Sequence, residues 1–151
     1  MEKVFISTSE NNTGDLARAC AKMTKRGDVW ALEGTLGAGK SVFARAFIQE
    51  ITAADEVPSP TFTLVQSYSS LKGFDVYHYD LYRLKDPSEI FELGVEEAFY
   101  EGVSLVEWPE RMGSFSPRLM WHVKIEHTDQ GRKITISSDD QEKQERLLHA
   151  I

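Results

Sequence analysis

The 151-residue chain is poor in several things, and each scarcity excludes something. It has one cysteine, Cys20. No internal disulfide can form, and a reducing cytoplasm is the simplest home. Cys20 falls on the apolar face of a predicted helix, so it reads as core rather than as a nucleophile. No apolar run approaches the ~18 residues of a membrane span. The opening residues, Met1 to Phe5, lack the apolar heart of a signal peptide, so no membrane association is expected. Positive charge is also scarce: 17 Lys and Arg stand against 24 Asp and Glu, for a net charge of −7. The basic residues are scattered, with only Lys22, Lys25 and Arg26 close together. A chain that grips nucleic acid unaided normally carries a basic face. Any link to RNA is therefore expected to run through a partner protein. Composition is otherwise that of an ordinary soluble globular chain, with 41% hydrophobic and 27% charged residues. The length suits one domain spanning 1–151.

What stands out against this background is Gly34-Thr35-Leu36-Gly37-Ala38-Gly39-Lys40-Ser41. It satisfies the phosphate-loop pattern G-x-x-x-x-G-K-S/T in full. The apolar run Val29-Trp30-Ala31 leads into it through Leu32 and Glu33. A helical pattern leaves it, with Val42, Phe43, Ala46 and Phe47 apolar and Arg45, Gln49 and Glu50 polar. Glycines let the backbone N–H groups turn inward as a nest for anionic oxygens, and the helix adds its positive end. Lys40 is placed to reach the β- and γ-phosphates and the Ser41 hydroxyl to ligate Mg²⁺.

Two further scarcities narrow the nucleotide and the chemistry. A guanine reader of the form Asn-Lys-x-Asp is missing, since the only asparagines are Asn11 and Asn12 and neither precedes a lysine. That favours ATP over GTP. The eight arginines are dispersed, whereas small phosphoryl-transfer kinases close an arginine-rich lid. A metabolite kinase is weakened without being excluded.

The coarse pattern predicts an α/β fold: a phosphate-loop NTPase-like mixed sheet flanked by helices, with a β-hairpin after a switch segment. Val4 to Ile6 reads as a strand. Asn12 and Asp15 resemble a capping box opening a helix to about Lys25, with Leu16, Ala19, Cys20 and Met23 on one face. Pro58-Ser59-Pro60-Thr61 is stiff and extended. Residues 62–68 and 74–82 read as the hairpin strands around a Ser69–Gly73 turn. Asp86 before Pro87 opens a helix that stops at Gly94, and a shorter helix runs to about Tyr100. Strands follow at 103–106, 119–126 and 133–137, then a polar helix from Asp139 to His149.

Ligands in open α/β sheets sit at the C-terminal ends of strands. Glu107 stands there after Val103–Val106, where a Walker-B acid meets Mg²⁺ directly or through water; the bland alternative is a carboxylate in solvent. Asp80 lies within His78-Tyr79-Asp80-Leu81-Tyr82-Arg83-Leu84. Strand alternation predicts His78, Asp80 and Tyr82 on one face. Asp80 would hold a metal-bound water or orient the attacking one, unless this face is simply solvated. Thr61, twenty positions after Ser41, sits where a switch senses the γ-phosphate; the alternative is a proline-stiffened turn. Arg83 is a candidate arginine finger, though spacing does not place it.

Together these stretches resemble the TsaE (YjeE) family of bacterial ATPases in tRNA threonylcarbamoyladenosine (t6A) synthesis. The resemblance rests on Leu36 to Ser41, Ser59-Pro60-Thr61-Phe62-Thr63-Leu64-Val65, His78 to Leu84 and Val106-Glu107-Trp108-Pro109-Glu110, in that order. Ser41 stands where the family often has threonine, and both supply a hydroxyl. The resemblance implies ATP and Mg²⁺ as cofactors and TsaB and TsaD as partners, with tRNA held by those partners. It implies a subunit that resets the TsaB–TsaD pair between turnovers. It also implies Ser41 and Glu107 on the metal, Lys40 and the loop on the phosphates, Thr61 in the switch, Asp80 in hydrolysis, and Glu10 and Arg132 near the nucleotide. Two rival classes stay open: a small-metabolite kinase, and a nucleotide-gated interaction module whose essential step is binding rather than hydrolysis.

Overall fold

A computed structural model describes residues 2–35, 37–60 and 63–150. Its elements follow in the order β1 Glu2–Ser7, α1 Glu10–Met23, β2 Val29–Glu33, α2 Lys40–Ile51, β3 Val65–Ser69 and β4 Asp75–Asp80. Then come a 3₁₀ segment Pro87–Leu93, α3 Val95–Glu101, β5 Val103–Glu107, a second 3₁₀ segment Pro109–Phe115, β6 Trp121–Thr128, β7 Gly131–Ser137 and α4 Gln141–Ala150. One sheet runs β1-β7-β6-β2-β5-β4-β3. β2 lies parallel to both β5 and β6, and β4 parallel to β5. The remaining pairs, including the β3–β4 hairpin, are antiparallel. The fold is thus the mixed α/β sheet that the pattern predicts.

β2 is central because it is apolar on both faces. Trp30 and Leu32 join the larger core cluster under α1 and α2, while Val29 and Ala31 join a second cluster under α3 and the 3₁₀ segments. A strand covered on both sides reads as a continuous apolar run rather than an alternating one. Trp30 stacks on Trp121 of the neighbouring strand, centroids 4.6 Å apart, and meets Phe47 of α2 edge-on at 5.3 Å. Both indoles are fully buried, and each N–H finds a partner: Thr24 for Trp30 and Asp28 for Trp121. Such anchors fix where α2 starts. Truncating an aromatic of this kind typically costs about 3–5 kcal/mol.

Three local expectations are corrected. The N-cap of α1 is Ser9, whose hydroxyl accepts from the Asn12 N–H at 3.1 Å. Asn12 instead turns its amide oxygen back to the Thr8 backbone N–H and hydroxyl, so the capping pair sits three residues earlier than Asn12 and Asp15 suggest. β4 ends at Asp80, so Tyr82 does not continue the His78–Asp80 face. Its backbone N–H closes a turn onto Asp80 Oδ1 at 3.1 Å, and its ring swings to Trp108. The 3₁₀ segment after Trp108 has no helical period in the sequence and was not expected. Asp86, by contrast, caps its segment as predicted, with Glu89 bonding back to the Asp86 N–H.

Candidate functional site

The phosphate loop occupies the turn between β2 and α2, at the C-terminal end of the central strand. Gly39 stands at the N-cap of α2 with φ of 116°, a left-handed conformation that glycine adopts without a Cβ penalty. Gly34 leaves β2 so close to β6 that an added Cβ would sit 2.7 Å from the Ile125 carbonyl oxygen. Lys40 is the first residue of α2. Its side chain is only 5% exposed, and its ammonium donates to the Gly34 carbonyl at 2.7 Å. Burial pushes the Lys40 ammonium below the usual lysine range, and the carboxylates of Glu107, Glu110 and Asp80 partly oppose that shift.

The acids are delivered by the sheet. β4 and β5 run parallel in a register that pairs Asp80 with Glu107, and the same row continues to Leu32 of β2. Both carboxylates therefore stand at strand ends, beneath the loop and α2. Neither is solvated, with Asp80 6% exposed and Glu107 3%. A cavity of about 280 Å³ brings Lys40, Ser41, Ser59, Asp80, Glu107 and Trp108 together. Leu36 and Thr61 lie outside the described residues. A separate cavity of about 290 Å³, on the other side of the loop, is lined by Glu10, Gly37, Gly39 and Arg132 among others. Arg132 reaches the loop from β7, donating to the Ala38 carbonyl at 2.8 Å and the Gly37 carbonyl at 3.4 Å.

Among the described residues no three His, Cys, Asp or Glu side chains converge as a metal cage. The donor set of a serine hydroxyl and one or two carboxylates beside a phosphate cradle is what Mg²⁺ uses when it shares its shell with phosphates and water. The residues present fit that ion.

Comparison with known proteins decides the family. Residues 7–134 match the model of the family described as threonylcarbamoyl adenosine biosynthesis protein TsaE. The chain belongs to the TsaE family. It is 39% identical over 132 residues to the tRNA threonylcarbamoyladenosine biosynthesis protein TsaE of Rickettsia felis, covering 87% of this chain and 77% of that one. With the protein of the same name from Bacillus subtilis it shares 36% identity over 134 residues, covering 87% and 83%. The crystal structure of Bacillus subtilis YdiB superposes with a TM-score of 0.80 at 26% identity, covering 99% of this chain and 93% of that one.

Two residues of this TsaE-family site escaped sequence reasoning. Trp108 directly follows Glu107 in a left-handed conformation, φ 59° and ψ 52°, unusual for a residue with a large side chain. That turn lays its indole over Lys40, with Nζ 3.5 Å from the ring centroid, and Tyr82 packs on it at 5.0 Å. The Trp-Pro pair after a strand-end acid was the available signal. His78 was placed on the Asp80 face, but its contact was not legible: Nε2 lies 2.7 Å from Glu107 Oε2, with both side chains buried. Among the described residues no helix is long and apolar enough to cross a membrane.

Proposed function

We propose that this chain is a Mg²⁺-dependent ATPase that serves as an accessory subunit of tRNA t6A modification, resetting a TsaB–TsaD complex between turnovers in the cytoplasm. The observation that carries the ATPase reading is the convergence of Lys40, Ser41, Asp80 and Glu107 on one cavity at the C-terminal ends of β2, β4 and β5. Membership of the TsaE family carries the assignment to t6A synthesis.

In this reading the loop N–H groups and Lys40 hold the phosphates. Lys40 exchanges the Gly34 carbonyl for phosphate oxygens as the nucleotide enters. Ser41 and Glu107 would hold Mg²⁺, which when bound would offset the negative charge that develops on the phosphates. Asp80 orients the attacking water, its carboxylate fixed by the Tyr82 N–H. Thr61 is assigned to the γ-phosphate switch, and Glu10 with Arg132 to the nucleoside side of the loop. The net charge of −7 suits a subunit that leaves tRNA to its partners.

Among the described residues that line this cavity none is an arginine. An arginine finger supplied in trans is worth ~10³–10⁵ in rate in other phosphate-loop enzymes. The expected outcome is slow ATP turnover by the isolated chain and clear stimulation by TsaB–TsaD. The test is steady-state phosphate release with and without the two partners. Equal turnover in both would overturn the resetting role.

A further inference from the structure

His78 occupies a place where the sheet gives it no packing reason to be a histidine. On the face under α2, one row of paired residues reads Trp121, Trp30, Leu105, His78, and the next reads Val123, Leu32, Glu107, Asp80. Trp121, Trp30 and Leu105 are buried apolar side chains, and beyond His78 the row ends in the half-buried Gln66 of the edge strand β3. His78 is itself 2% exposed, and its Nδ1 is buried with no hydrogen-bond partner among the described residues. An unsatisfied buried polar group is destabilising, and a leucine or valine here would avoid that cost. Among the described residues the polar contact of the ring is Nε2 to Glu107 Oε2 at 2.7 Å.

That geometry fixes the tautomer. A carboxylate only accepts, so Nε2 carries the proton and donates it. Nδ1, on the other side of the ring, meets no polar group among the described residues. One oxygen of Glu107 is thereby engaged on the β4 side, and its other oxygen, Oε1, meets no hydrogen-bond donor among the described residues. The Lys40 ammonium attracts the same carboxylate from the loop side.

We propose that His78 is a positioning residue for the nucleotide site. Its Nε2–H clamps Glu107 Oε2 and presents Oε1 in one orientation to the divalent cation that accompanies the nucleotide. Groups that hold a ligating carboxylate are typically worth 10–100-fold in metal affinity. The proposal rests on the Mg²⁺–ATP reading above, and its test separates the two.

The probe is Mg²⁺ itself, titrated into protein and ATP in a metal-chelated buffer, with ATP binding followed by calorimetry and no turnover required. Gln and Asn distinguish position from polarity. A glutamine amide nitrogen sits near the place of Nε2, whereas an asparagine nitrogen sits near Nδ1 and cannot reach Glu107. We expect His78→Asn to bind metal-free ATP within about twofold of wild type and to need about 10–100-fold more Mg²⁺ for half-saturation, with His78→Gln close to wild type. In a Glu107→Ala background, His78→Asn should change nothing further. An unshifted Mg²⁺ curve in His78→Asn, or an equal shift in the Glu107→Ala background, overturns the proposal. A wild-type protein whose ATP binding ignores Mg²⁺ overturns the parent reading instead. Comparing Gln with Asn also covers folding, since both are buried amides of similar polarity and thermal melts report any difference.

Discussion

The Lys40 ammonium sits 3.5 Å from the centre of the Trp108 indole while donating to the Gly34 carbonyl at 2.7 Å. The lysine is thus held by the carbonyl that opens its own loop and by the face of a ring. Phosphate must displace at least the carbonyl, and that movement changes the surroundings of the indole. Adding ATP is expected to change tryptophan emission. The signal should come from Trp108, because Trp30 and Trp121 are stacked and fully buried in the core. Trp108→Phe should remove most of the change while binding persists by calorimetry.

Lys40→Ala removes charge-assisted hydrogen bonds to phosphate. Each is worth about 1.5–3 kcal/mol, so ATP affinity should fall on the order of 10–100-fold or more. Equilibrium binding measured by calorimetry checks this. Full hydrolysis by the variant would remove the central role assigned to the loop.

Asp80 and Lys40 are expected to fail differently. Asp80 is paired in register with Glu107 yet is assigned to water rather than to phosphate. Asp80→Ala should keep ATP affinity within a few-fold and lose hydrolysis by about 10²–10⁴-fold, the usual worth of a positioned acid–base group. Calorimetry and single-turnover assays read the two effects separately. A parallel loss of binding would move Asp80 from water to the metal or the phosphates.

These distinctions show which parts of the site were legible in the chain. The phosphate loop is local, so its glycines, lysine and flanking strand and helix could be read directly. Glu107 could be placed at a strand end, whereas Asp80 was read inside a strand running on to Tyr82. That β4 lies beside β5 with the two acids in one row is a long-range pairing, and residue order does not state it. The His78–Glu107 bond depends on that pairing and was missed for the same reason. Trp108 was hidden by backbone conformation: only the left-handed turn at 59° carries its ring back over Lys40. The Tyr82 error came from extending strand alternation past Asp80, where a side-chain-to-backbone turn ends the strand.

Gly34 tests whether the loop tolerates any side chain where it leaves β2. Its φ is 155°, and a Cβ would meet backbone, the Ile125 carbonyl at 2.7 Å, rather than the yielding end of a side chain. Gly34→Ala must shift β6 or the loop. A cost of about 1–3 kcal/mol in stability is expected, with ATP affinity reduced because the Gly34 carbonyl also positions Lys40. Urea melts and calorimetry measure the two. Unchanged affinity in a destabilised variant would show that the loop adapts on its own.

Far from the loop, Asp28 ties the C-terminal helix to the core. Its carboxylate takes two bonds from Arg146, at 2.7 and 3.0 Å, one from the Lys25 backbone N–H and one from the Trp121 indole. Burial alone would raise the Asp28 carboxyl, but the Arg146 hydrogen bonds and the other partners outweigh it and hold the group below the usual carboxylate range. A carboxyl whose value is lower folded than unfolded contributes its stability above the unfolded value, about 3.9, and loses it as pH falls through the folded one. Asp28→Asn should therefore cost about 3 kcal/mol at pH 7, in the range for breaking a buried pair. The gap between variant and wild type should narrow steadily below about pH 4. Urea melts across that range measure it. A gap that stays constant from pH 7 to pH 3 would mean that Asp28 holds α4 through shape and neutral hydrogen bonds rather than through its charge.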